Sequence, residues 1–547
     1  MTLPGRVALV VVATSLVLLP FVGKAFHADD TQFLWVARQI RSHPADFFGF
    51  AANWYGYEVP IYRIVTNPPL SPYYTALVAS VAGWSEIGLH LAFLVAAVAA
   101  AVGIVVLARR FCAESALAAL VGVLTPAFVV SSTNIMCDTL LLAFWIWATV
   151  LWTEGLERRR PGMQCASALL IALAALTKYV GVALLPLLLV YAVAKRRRLT
   201  FELLWLGVPI TLLGAYDLYT FLLYGRGLLF GAVFQASGTR ARSGLTLLSR
   251  GIVGLAFTGG SLATAAFYAP VVWPRRALVA ALASAAVLLI PAASTVSGYP
   301  AIGVVAIPWV IAQLDLLAVA GLHVLALAGA DLLDRRDADS LLLFLWVTGG
   351  FVFASFVNPT INARSILLIA PAIGILVARR LEQRRPRARA GWVLVPLLAG
   401  GCLTLLLASA DYKLAGSGRT AAAIIRADYG HLGRTVWFQG HWGFQYYMEA
   451  VGARPFDRVR LGMHPGDLMI LPENNTNVIF PLRGIPMTAL RVIELPSSRG
   501  LTTVQPWIGA GFYSELLGPL PFAFGTVPPE RYYVLMIEPP PGQAPPG

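Results

Sequence analysis

Residues 165–193 read CASALLIALAALTKYVGVALLPLLLVYAV, an apolar stretch whose only charged residue is Lys178. It is either one long helix or two short helices that turn at Lys178. Clusters of basic residues flank it at 158–160 and 195–198. Since basic loops remain on the cytoplasmic side of a membrane, the chain must cross an even number of times between these clusters. The stretch therefore predicts two short helices, with Lys178 at their outer turn.

These two helices are short for membrane-spanning elements. At about 1.5 Å per residue, neither run crosses an ordinary hydrocarbon core of about 30 Å. We therefore expect other helices to shield them, or a cavity to reach them from the outer side.

The composition of the whole chain is that of a membrane protein. Of its 547 residues, 58% are hydrophobic and 12% charged, whereas soluble domains carry roughly 25% charged residues. The net charge of +14 would suit nucleic acid, but the arginines stand in short loops between apolar runs, so no nucleic-acid partner is expected. The four cysteines lie in or beside apolar runs and show no disulfide or zinc spacing.

Thirteen apolar runs predict a polytopic α-helical membrane protein of about 13 transmembrane helices. The runs are Val7–Val22, Ile87–Leu107, Ala113–Val130, Leu140–Trp152, Cys165–Leu176, Val180–Val193, Leu203–Leu223, Ile252–Val272, Ala277–Ala293, Pro308–Leu332, Leu341–Val357, Ile366–Ala378 and Gly391–Ala408. If each run crosses once, all the basic clusters fall on one side, which places the N-terminus inside and the C-terminal tail outside. The first run is a cleaved signal peptide or a retained helix. We favour a retained helix, because the run lacks a convincing cleavage site.

The composition changes after Ala408, where the chain becomes more polar and richer in glycine and proline. This change predicts a transmembrane domain at 1–408, whose first outer loop at 27–86 carries interfacial helices, and an extracytoplasmic α/β domain at 409–547. In the second domain the pattern predicts strands and one helix at Thr435–Phe438, Leu468–Leu471, Arg491–Leu495 and Tyr532–Ile537, and near Phe444–Val451. The aromatic segment His441–Tyr447 suits either carbohydrate contact or a strand-to-helix core.

Three acids stand out on the predicted outer face. Asp29 and Asp30 follow the first membrane helix, and Asp138 opens a helix without other charges. Each is either a helix cap or a functional group. A carboxylate near a low-dielectric boundary holds a proton more readily, which suits a general base.

Several cations are predicted on the same face, against the usual trend for basic residues. They are Lys178 at the helix turn, Arg240 and Arg242 in an outer loop, and Arg364 at the mouth of a helix. Such residues require a local anion, and a phosphate near the lipid headgroups is the natural candidate. For Arg240 and Arg242 the alternative is a solvated loop.

The first outer loop is rich in aromatic residues, among them Tyr55, Tyr57 and Tyr62. Aromatic side chains favour a membrane interface without any ligand. They also stack on sugar rings, so these three tyrosines are candidates for contacts with an acceptor or a sugar.

Several motifs, in this order, resemble the GT-C superfamily of membrane glycosyltransferases, in particular the bacterial relatives of protein O-mannosyltransferases and of the lipid A aminoarabinose transferase. They are Asp29-Asp30 after the first helix, Pro68-Pro-Leu70 before the second, Asp138 opening the fourth, and Leu176-Thr-Lys-Tyr-Val-Gly181 in the next pair. The segment Asn362–Pro371 is similar to a late Arg-Tyr-x-x-Pro segment of that group. The resemblance covers roughly residues 7–408.

The resemblance implies an inverting transfer of a hexose or pentose from a polyprenyl-phosphate donor to an acceptor hydroxyl at the outer face. It matches Asp29 to the base that deprotonates the acceptor. Asp30 stands where relatives often carry Glu, so the choice between the two acids stays open. Asp138 matches a second acid that orients the acceptor or the base, and Lys178 and Arg364 match positions near the donor phosphate. The acceptor is a lipid, a glycan or a protein.

No cofactor is predicted, because the candidate segments contain neither an Asp-x-Asp motif nor a pair of histidines, and a divalent metal has no support. The expected location is a bacterial inner (plasma) membrane, with the active site facing the periplasm or the cell exterior. A lipid or sugar transporter or flippase is the alternative function. Against it, no motif recurs in the second half, and the charges lie at one face. A non-enzymatic assembly subunit is a third interpretation.

Overall fold

Apolar helices form most of the chain. The computed structural model describes residues 1–232, 238, 244–384, 390–482 and 484–539, and within these ranges nine helices are long and apolar enough to cross a membrane. They are Leu3–Phe21, Glu86–Ala108, Asp138–Arg158, Tyr179–Arg196, Phe201–Tyr224, Arg275–Val296, Val304–Arg335, Ala338–Val357 and Gly391–Tyr429. Each coincides with a predicted run, so the prediction of a polytopic helical membrane protein is confirmed.

The other four predicted runs form helices that are bent, broken or short. Ser115–Val123 and Pro126–Ser132 meet at an angle of 65°. Pro126 explains the bend, because proline lacks the main-chain donor that a continuing helix needs but suits the first turn of a new one. The remaining three runs correspond to helices of 17, 15 and 15 residues.

The secondary structure elements are as follows. The α-helices are α1 (Leu3–Leu18), α2 (Asp30–Ser42), α3 (Leu70–Ala82), α4 (Glu86–Ala108), α5 (Ser115–Val123), α6 (Pro126–Ser132), α7 (Asp138–Arg158), α8 (Pro161–Thr177), α9 (Leu184–Arg196), α10 (Gly207–Tyr224), α11 (Leu247–Ser261), α12 (Ala263–Phe267), α13 (Ala269–Val272), α14 (Arg275–Val296), α15 (Ile307–Arg335), α16 (Ala338–Val352), α17 (Ala363–Ile366), α18 (Ala370–Arg384), α19 (Ala390–Tyr429) and α20 (Trp442–Ala450). The strands are β1 (Ala51–Asn53), β2 (Glu58–Pro60), β3 (Val436–Phe438), β4 (Arg454–Pro455), β5 (Leu468–Pro472), β6 (Met487–Leu495), β7 (Leu501–Thr502), β8 (Val504–Gln505), β9 (Ala510–Gly511), β10 (Ala523–Phe524) and β11 (Glu530–Ile537).

The chain turns at Lys178, between α8 and α9. Lys178 has an extended backbone (φ −155°, ψ 132°), which ends α8, and a 3₁₀ helix at Tyr179–Ala183 leads into α9. Gly181 packs directly on α8, since a Cβ atom there would lie only 2.5 Å from the carbonyl carbon of Ala174. The stretch 165–193 is therefore two helices, as its flanking charges predict.

The two ends of α7 carry different chemistry. Asp138 is its first residue, and Glu157 lies 19 residues later, about 28 Å away at the helical rise. Near Glu157 the predicted inner loops meet: Arg110 pairs with Glu157, and Lys195 lies 3.5 Å from both Glu157 and Asp339. The basic loops thus gather at one end of the bundle and the candidate acids at the other.

A mixed sheet follows the last long helix. Its strand order is β4-β3-β5-β11-β6, with β3 parallel to its neighbours β4 and β5, and β11 antiparallel to β5 and β6. All four predicted strands are present, and the predicted helix is α20. The predicted boundary at 408 lies inside α19, a helix of 40 residues that runs to Tyr429.

The segment from β7 to β10 packs directly onto the helices. Leu501, Val504, Phe512 and Phe522 belong to the same buried apolar cluster as the helical residues. Because this packing joins the sheet domain to the bundle, side chains of residues 501–523 reach the ends of the membrane helices.

Candidate functional site

Four charged side chains meet at one end of the helix bundle, opposite the end that holds Glu157. Arg364 Nη2 lies 3.0 Å from Asp29 Oδ2, and Arg364 Nη1 lies 3.8 Å from Asp138 Oδ2. On the other side of Asp138, its Oδ1 accepts a hydrogen bond of 2.7 Å from Lys178 Nζ. We call Asp29, Arg364, Asp138 and Lys178 the four-charge cluster.

Each member of the cluster comes from a different element. Asp29 precedes α2, Asp138 begins α7, Lys178 forms the α8–α9 turn, and Arg364 lies in α17. Residues so far apart in sequence share one location only because the helix ends converge there. Among the sequence-predicted site residues, these four are the ones that the structure brings into a single chain of contacts.

The side chains in the cluster differ in exposure. Asp29 is 32% exposed, whereas Asp138 is 3% exposed. Lys178 and Arg364 lie between them, at 16% and 13%. A ligand that approaches from the solvent therefore reaches Asp29 and the two cations. Asp138, which is buried, forms ion pairs with both cations.

The adjacent acids Asp29 and Asp30 have different environments. Asp29 occupies the N-cap position of α2, yet its side chain makes no capping hydrogen bond and instead pairs with Arg364. Asp30 is fully buried and accepts hydrogen bonds from the main-chain N–H groups of His27 (2.9 Å) and Ile135 (3.1 Å). Burial raises the pKa of Asp30 to about 7, although these hydrogen bonds oppose the rise. Asp30 therefore ties the loop before α2 to the start of α7, and Asp29 is the accessible acid.

Asp138 is also not a helix cap. The N-cap residue of α7 is Cys137, which makes no capping hydrogen bond, and Asp138 lies in the first turn. Its two oxygens face Lys178 and Arg364, so its charge is balanced by cations rather than by the main chain.

The loop that carries Arg364 is held by its own amide side chains. Asn362 caps α17 by accepting a hydrogen bond of 2.9 Å from Ser365 N. Asn358 Nδ2 donates to Ser365 Oγ at 2.9 Å. These bonds fix the short turn before α17 and with it the direction in which Arg364 leaves the backbone.

A second polar cluster, which the sequence did not indicate, lies next to the first. Lys24 Nζ contacts Asp411 Oδ2 at 2.5 Å and Asn134 Oδ1 at 2.7 Å, and both Lys24 and Asp411 are fully buried. Asp411 also accepts hydrogen bonds from Thr503 Oγ1 (2.7 Å) and the Tyr513 hydroxyl (2.8 Å). We call Lys24, Asp411 and Tyr513, with their hydrogen-bond partners, the buried polar cluster.

Tyr513 connects the two clusters. Its ring centroid lies 5.6 Å from the guanidinium carbon of Arg364 and 5.2 Å from the His27 ring. Its hydroxyl also accepts a hydrogen bond of 3.1 Å from Asn134 Nδ2. Burial lowers the pKa of the neighbouring His27 to about 4, so at neutral pH this ring adds no charge to the site.

The three candidate tyrosines are found in two places. Tyr55 and Tyr57 line a cleft of about 630 Å³ between the segment 27–86 and the sheet domain, where Gln439 and Leu516 form part of the opposite wall. Tyr62 instead stacks on Tyr224, with ring centroids 5.3 Å apart. Arg240 and Arg242 lie outside the described residues.

The aromatic segment at 441–447 forms part of a core. The His441 ring stacks on Trp54 at a centroid distance of 4.2 Å, and Phe444 packs on Phe438 and Tyr532. Burial lowers the pKa of His441 to about 3. The segment fastens the sheet domain to the first outer loop, and Trp54 lines the cleft described above.

Fold and site together define a polytopic membrane protein with an accessible carboxylate and two cations at the end of its helices. Residues 66–217 match the sequence model of the family described as dolichyl-phosphate-mannose-protein mannosyltransferase. This range contains Asp138 and Lys178. Over the part of the chain that it covers, this match confirms the predicted resemblance to membrane glycosyltransferases related to the protein O-mannosyltransferases.

Two solved structures are among those to which the chain is similar. The apo oligosaccharyltransferase of Archaeoglobus fulgidus is 13% identical, with a TM-score of 0.49 over 83% of this chain and 65% of that one. ArnT from Cupriavidus metallidurans, bound to undecaprenyl phosphate, is 15% identical, with a TM-score of 0.43 over 86% of this chain and 93% of that one. The chain thus spans a little under two thirds of the archaeal protein. No curated protein matches it in sequence.

Proposed function

We propose that this protein is an inverting glycosyltransferase that moves a hexose or pentose from a polyprenyl-phosphate donor to an acceptor hydroxyl on the non-cytoplasmic face of a bacterial inner membrane. The observation that carries the proposal is the four-charge cluster, which offers one accessible carboxylate beside two partly accessible cations. Displacement of a phosphate by a hydroxyl requires a base that accepts the hydroxyl proton and cations that stabilise the departing phosphate.

Asp29 is the general base. It accepts the proton of the acceptor hydroxyl as that oxygen attacks the anomeric carbon of the donor. The bond from that carbon to the phosphate oxygen breaks, and the polyprenyl phosphate leaves with the electron pair. Asp29 is preferred to Asp30 because Asp30 is fully buried and already accepts two main-chain hydrogen bonds.

Lys178 and Arg364 stabilise the departing phosphate. Both are cations held by Asp138, and both keep part of their surface exposed. Arg364 is paired with Asp29. A donor phosphate competes for Arg364, since phosphate offers several charge-assisted acceptors, and so leaves Asp29 Oδ2 free to accept the proton of the acceptor.

The proposal keeps about 13 crossings with the N-terminus inside, and its sidedness is supported by the two ends of α7. The basic loops collect near Glu157, and the four-charge cluster lies at Asp138. By the positive-inside rule the first end is cytoplasmic, so the reaction faces the periplasm or the cell exterior, together with the sheet domain.

The donor class is supported by the matching family, whose description specifies a dolichyl-phosphate-linked sugar. Dolichyl phosphate is a polyprenyl phosphate, and bacterial membranes carry related lipids. The acceptor is a lipid, glycan or protein with a free hydroxyl, and the cleft beside Tyr55 and Tyr57 is a site where it could be held.

The test is donor consumption by the purified protein. A panel of radiolabelled polyprenyl-phosphate hexoses and pentoses is supplied with envelope acceptors, and release of polyprenyl phosphate is measured. Asp29→Asn is expected to reduce release by about 10²–10⁴-fold, the usual contribution of a general base. Asp428→Asn, in an exposed ion pair with Arg491 on the sheet domain, is the matched control and should keep full activity.

Two outcomes would contradict the proposal. Full turnover by Asp29→Asn would exclude this residue as the base. Movement of labelled lipid between leaflets without cleavage would favour the transporter instead.

A further inference from the structure

The segment that precedes Arg364 is hydrogen-bonded to the sheet domain. Ala363 N donates to Phe512 O at 2.9 Å, and Glu515 N donates to Ile361 O at 2.8 Å. The Glu515 carboxylate adds a third bond, accepting from Ile361 N at 2.7 Å. Three hydrogen bonds thus join residues 361–363 to residues 512–515 immediately before Arg364.

Glu515 also reaches the membrane helices through Arg250. Arg250 Nη1 lies 3.8 Å from Glu515 Oε1, and Arg250 Nε donates to Ser355 O at 3.1 Å. Arg250 and Glu515 are both buried. The segment before Arg364 is therefore hydrogen-bonded to this pair at two points: Ser355 to Arg250, and Ile361 to Glu515.

Tyr513 contacts Arg364 itself. Its ring lies 5.6 Å from the guanidinium carbon, a separation at which an aromatic face attracts a cation. The ring cannot move freely, because its hydroxyl is bonded to Asp411 and Asn134 of the buried polar cluster. The guanidinium is thus bounded by a fixed ring on one side and by Asp29 and Asp138 on others.

We infer that Glu515 and Tyr513 are positioning residues that hold Arg364 in place for the donor phosphate, so that the sheet domain completes the reaction site rather than only binding the acceptor. This inference rests on the function proposed above. It is carried by the contacts of Glu515 with Ile361 and Arg250, and by the contact of Tyr513 with Arg364. Neither residue touches a reacting atom.

The test measures binding of undecaprenyl phosphate and the kinetics of donor turnover for the full-length protein in detergent. Glu515→Gln keeps the size of the side chain but removes the charge that faces Arg250. We expect weaker binding and a fall in kcat of about 10²-fold, the effect of displacing a reacting group by about 1 Å. Glu530→Gln is the matched control: Glu530 is another buried acid of the sheet domain, but its partner is Asn474.

The decisive measurement combines Glu515→Gln with Arg364→Gln. If Glu515 acts through Arg364, the double variant binds undecaprenyl phosphate as weakly as Arg364→Gln alone, because the second change has nothing left to misplace. A general loss of structure would instead add its effect to that of Arg364→Gln. Additive losses therefore overturn the inference.

A second variant covers the case in which Glu515→Gln does not fold. Tyr513→Leu removes the ring beside Arg364, and Tyr513→Phe keeps the ring but loses its hydrogen bonds. Both should weaken undecaprenyl phosphate binding, Leu more than Phe. Binding equal to wild type in both Tyr513 variants overturns the inference while leaving the proposed function intact. If Arg364→Gln itself binds like wild type, the proposed role of Arg364 fails first.

Discussion

Lys24→Met should destabilise the protein strongly, because it leaves a buried charge without its partner. Lys24 and Asp411 are both fully buried and lie 2.5 Å apart. In the variant, Asp411 keeps its hydrogen bonds from Thr503 and Tyr513 but loses its counter-charge. Breaking a buried pair in this way costs about 3–5 kcal/mol, a large share of the ~5–15 kcal/mol that stabilises a typical domain.

The assay is equilibrium unfolding of the purified protein in mixed micelles, followed by tryptophan fluorescence. The double variant Lys24→Met with Asp411→Asn removes both charges, and the amide can still accept from Thr503 Oγ1. It should therefore be more stable than Lys24→Met by about 2 kcal/mol, because no charge is left buried without a partner. Arg491→Met is the control, since its pair with Asp428 is exposed and should be worth less than about 1 kcal/mol. The reasoning is refuted if Lys24→Met unfolds like Arg491→Met, or if the double variant is no more stable than Lys24→Met.

Two further predictions concern the sheet domain and the α8–α9 turn. Burial raises the pKa of Glu530 from 4.5 to about 7, so between these pH values the folded protein holds a proton that the unfolded chain releases, and stability falls as the pH rises. Glu530→Gln should remove this dependence and be up to about 3 kcal/mol more stable than wild type at pH 8 but equal to it at pH 4; an unchanged pH profile of unfolding would exclude Glu530 as the titrating group. Gly181→Ala should lower the free energy of unfolding by about 1–3 kcal/mol, because the new methyl group would meet the α8 backbone, whereas Gly207→Ala, with open space at its Cβ position, should not. Equal stability of these two glycine variants would contradict the close packing of the turn.

The positions of the charged residues along the chain predict that residues distant in sequence share one side of the membrane. Asp29, Asp138, Lys178 and Arg364 all stand at the ends of apolar runs on the predicted outer side, so one rule placed them on a common face. That they touch is a further fact, which depends on which helix ends are neighbours. The sequence likewise does not distinguish Asp29 from Asp30, which differ in burial and in their hydrogen-bond partners.

The buried polar cluster could not be predicted in the same way. Lys24 and Asp411 are separated by 387 positions, and each alone resembles an ordinary charge beside an apolar run. The predicted domain boundary shows another limit of composition. Polarity rises after Ala408, yet the backbone remains helical to Tyr429. The change of composition thus falls within one helix and not at its end.

The length of α19 has a mechanical consequence. Its 40 residues make a rod of about 60 Å, roughly twice the thickness of a hydrocarbon core, so one end can stand in lipid and the other in water. Asp411 lies near the middle of this helix, where it pairs with Lys24 of the segment that follows α1. A rigid helix held at Asp411 moves at both ends when it tilts. A tilt of about 10° about this point would displace the end at Tyr429 by about 5 Å, because ~30 Å of helix lies beyond Asp411.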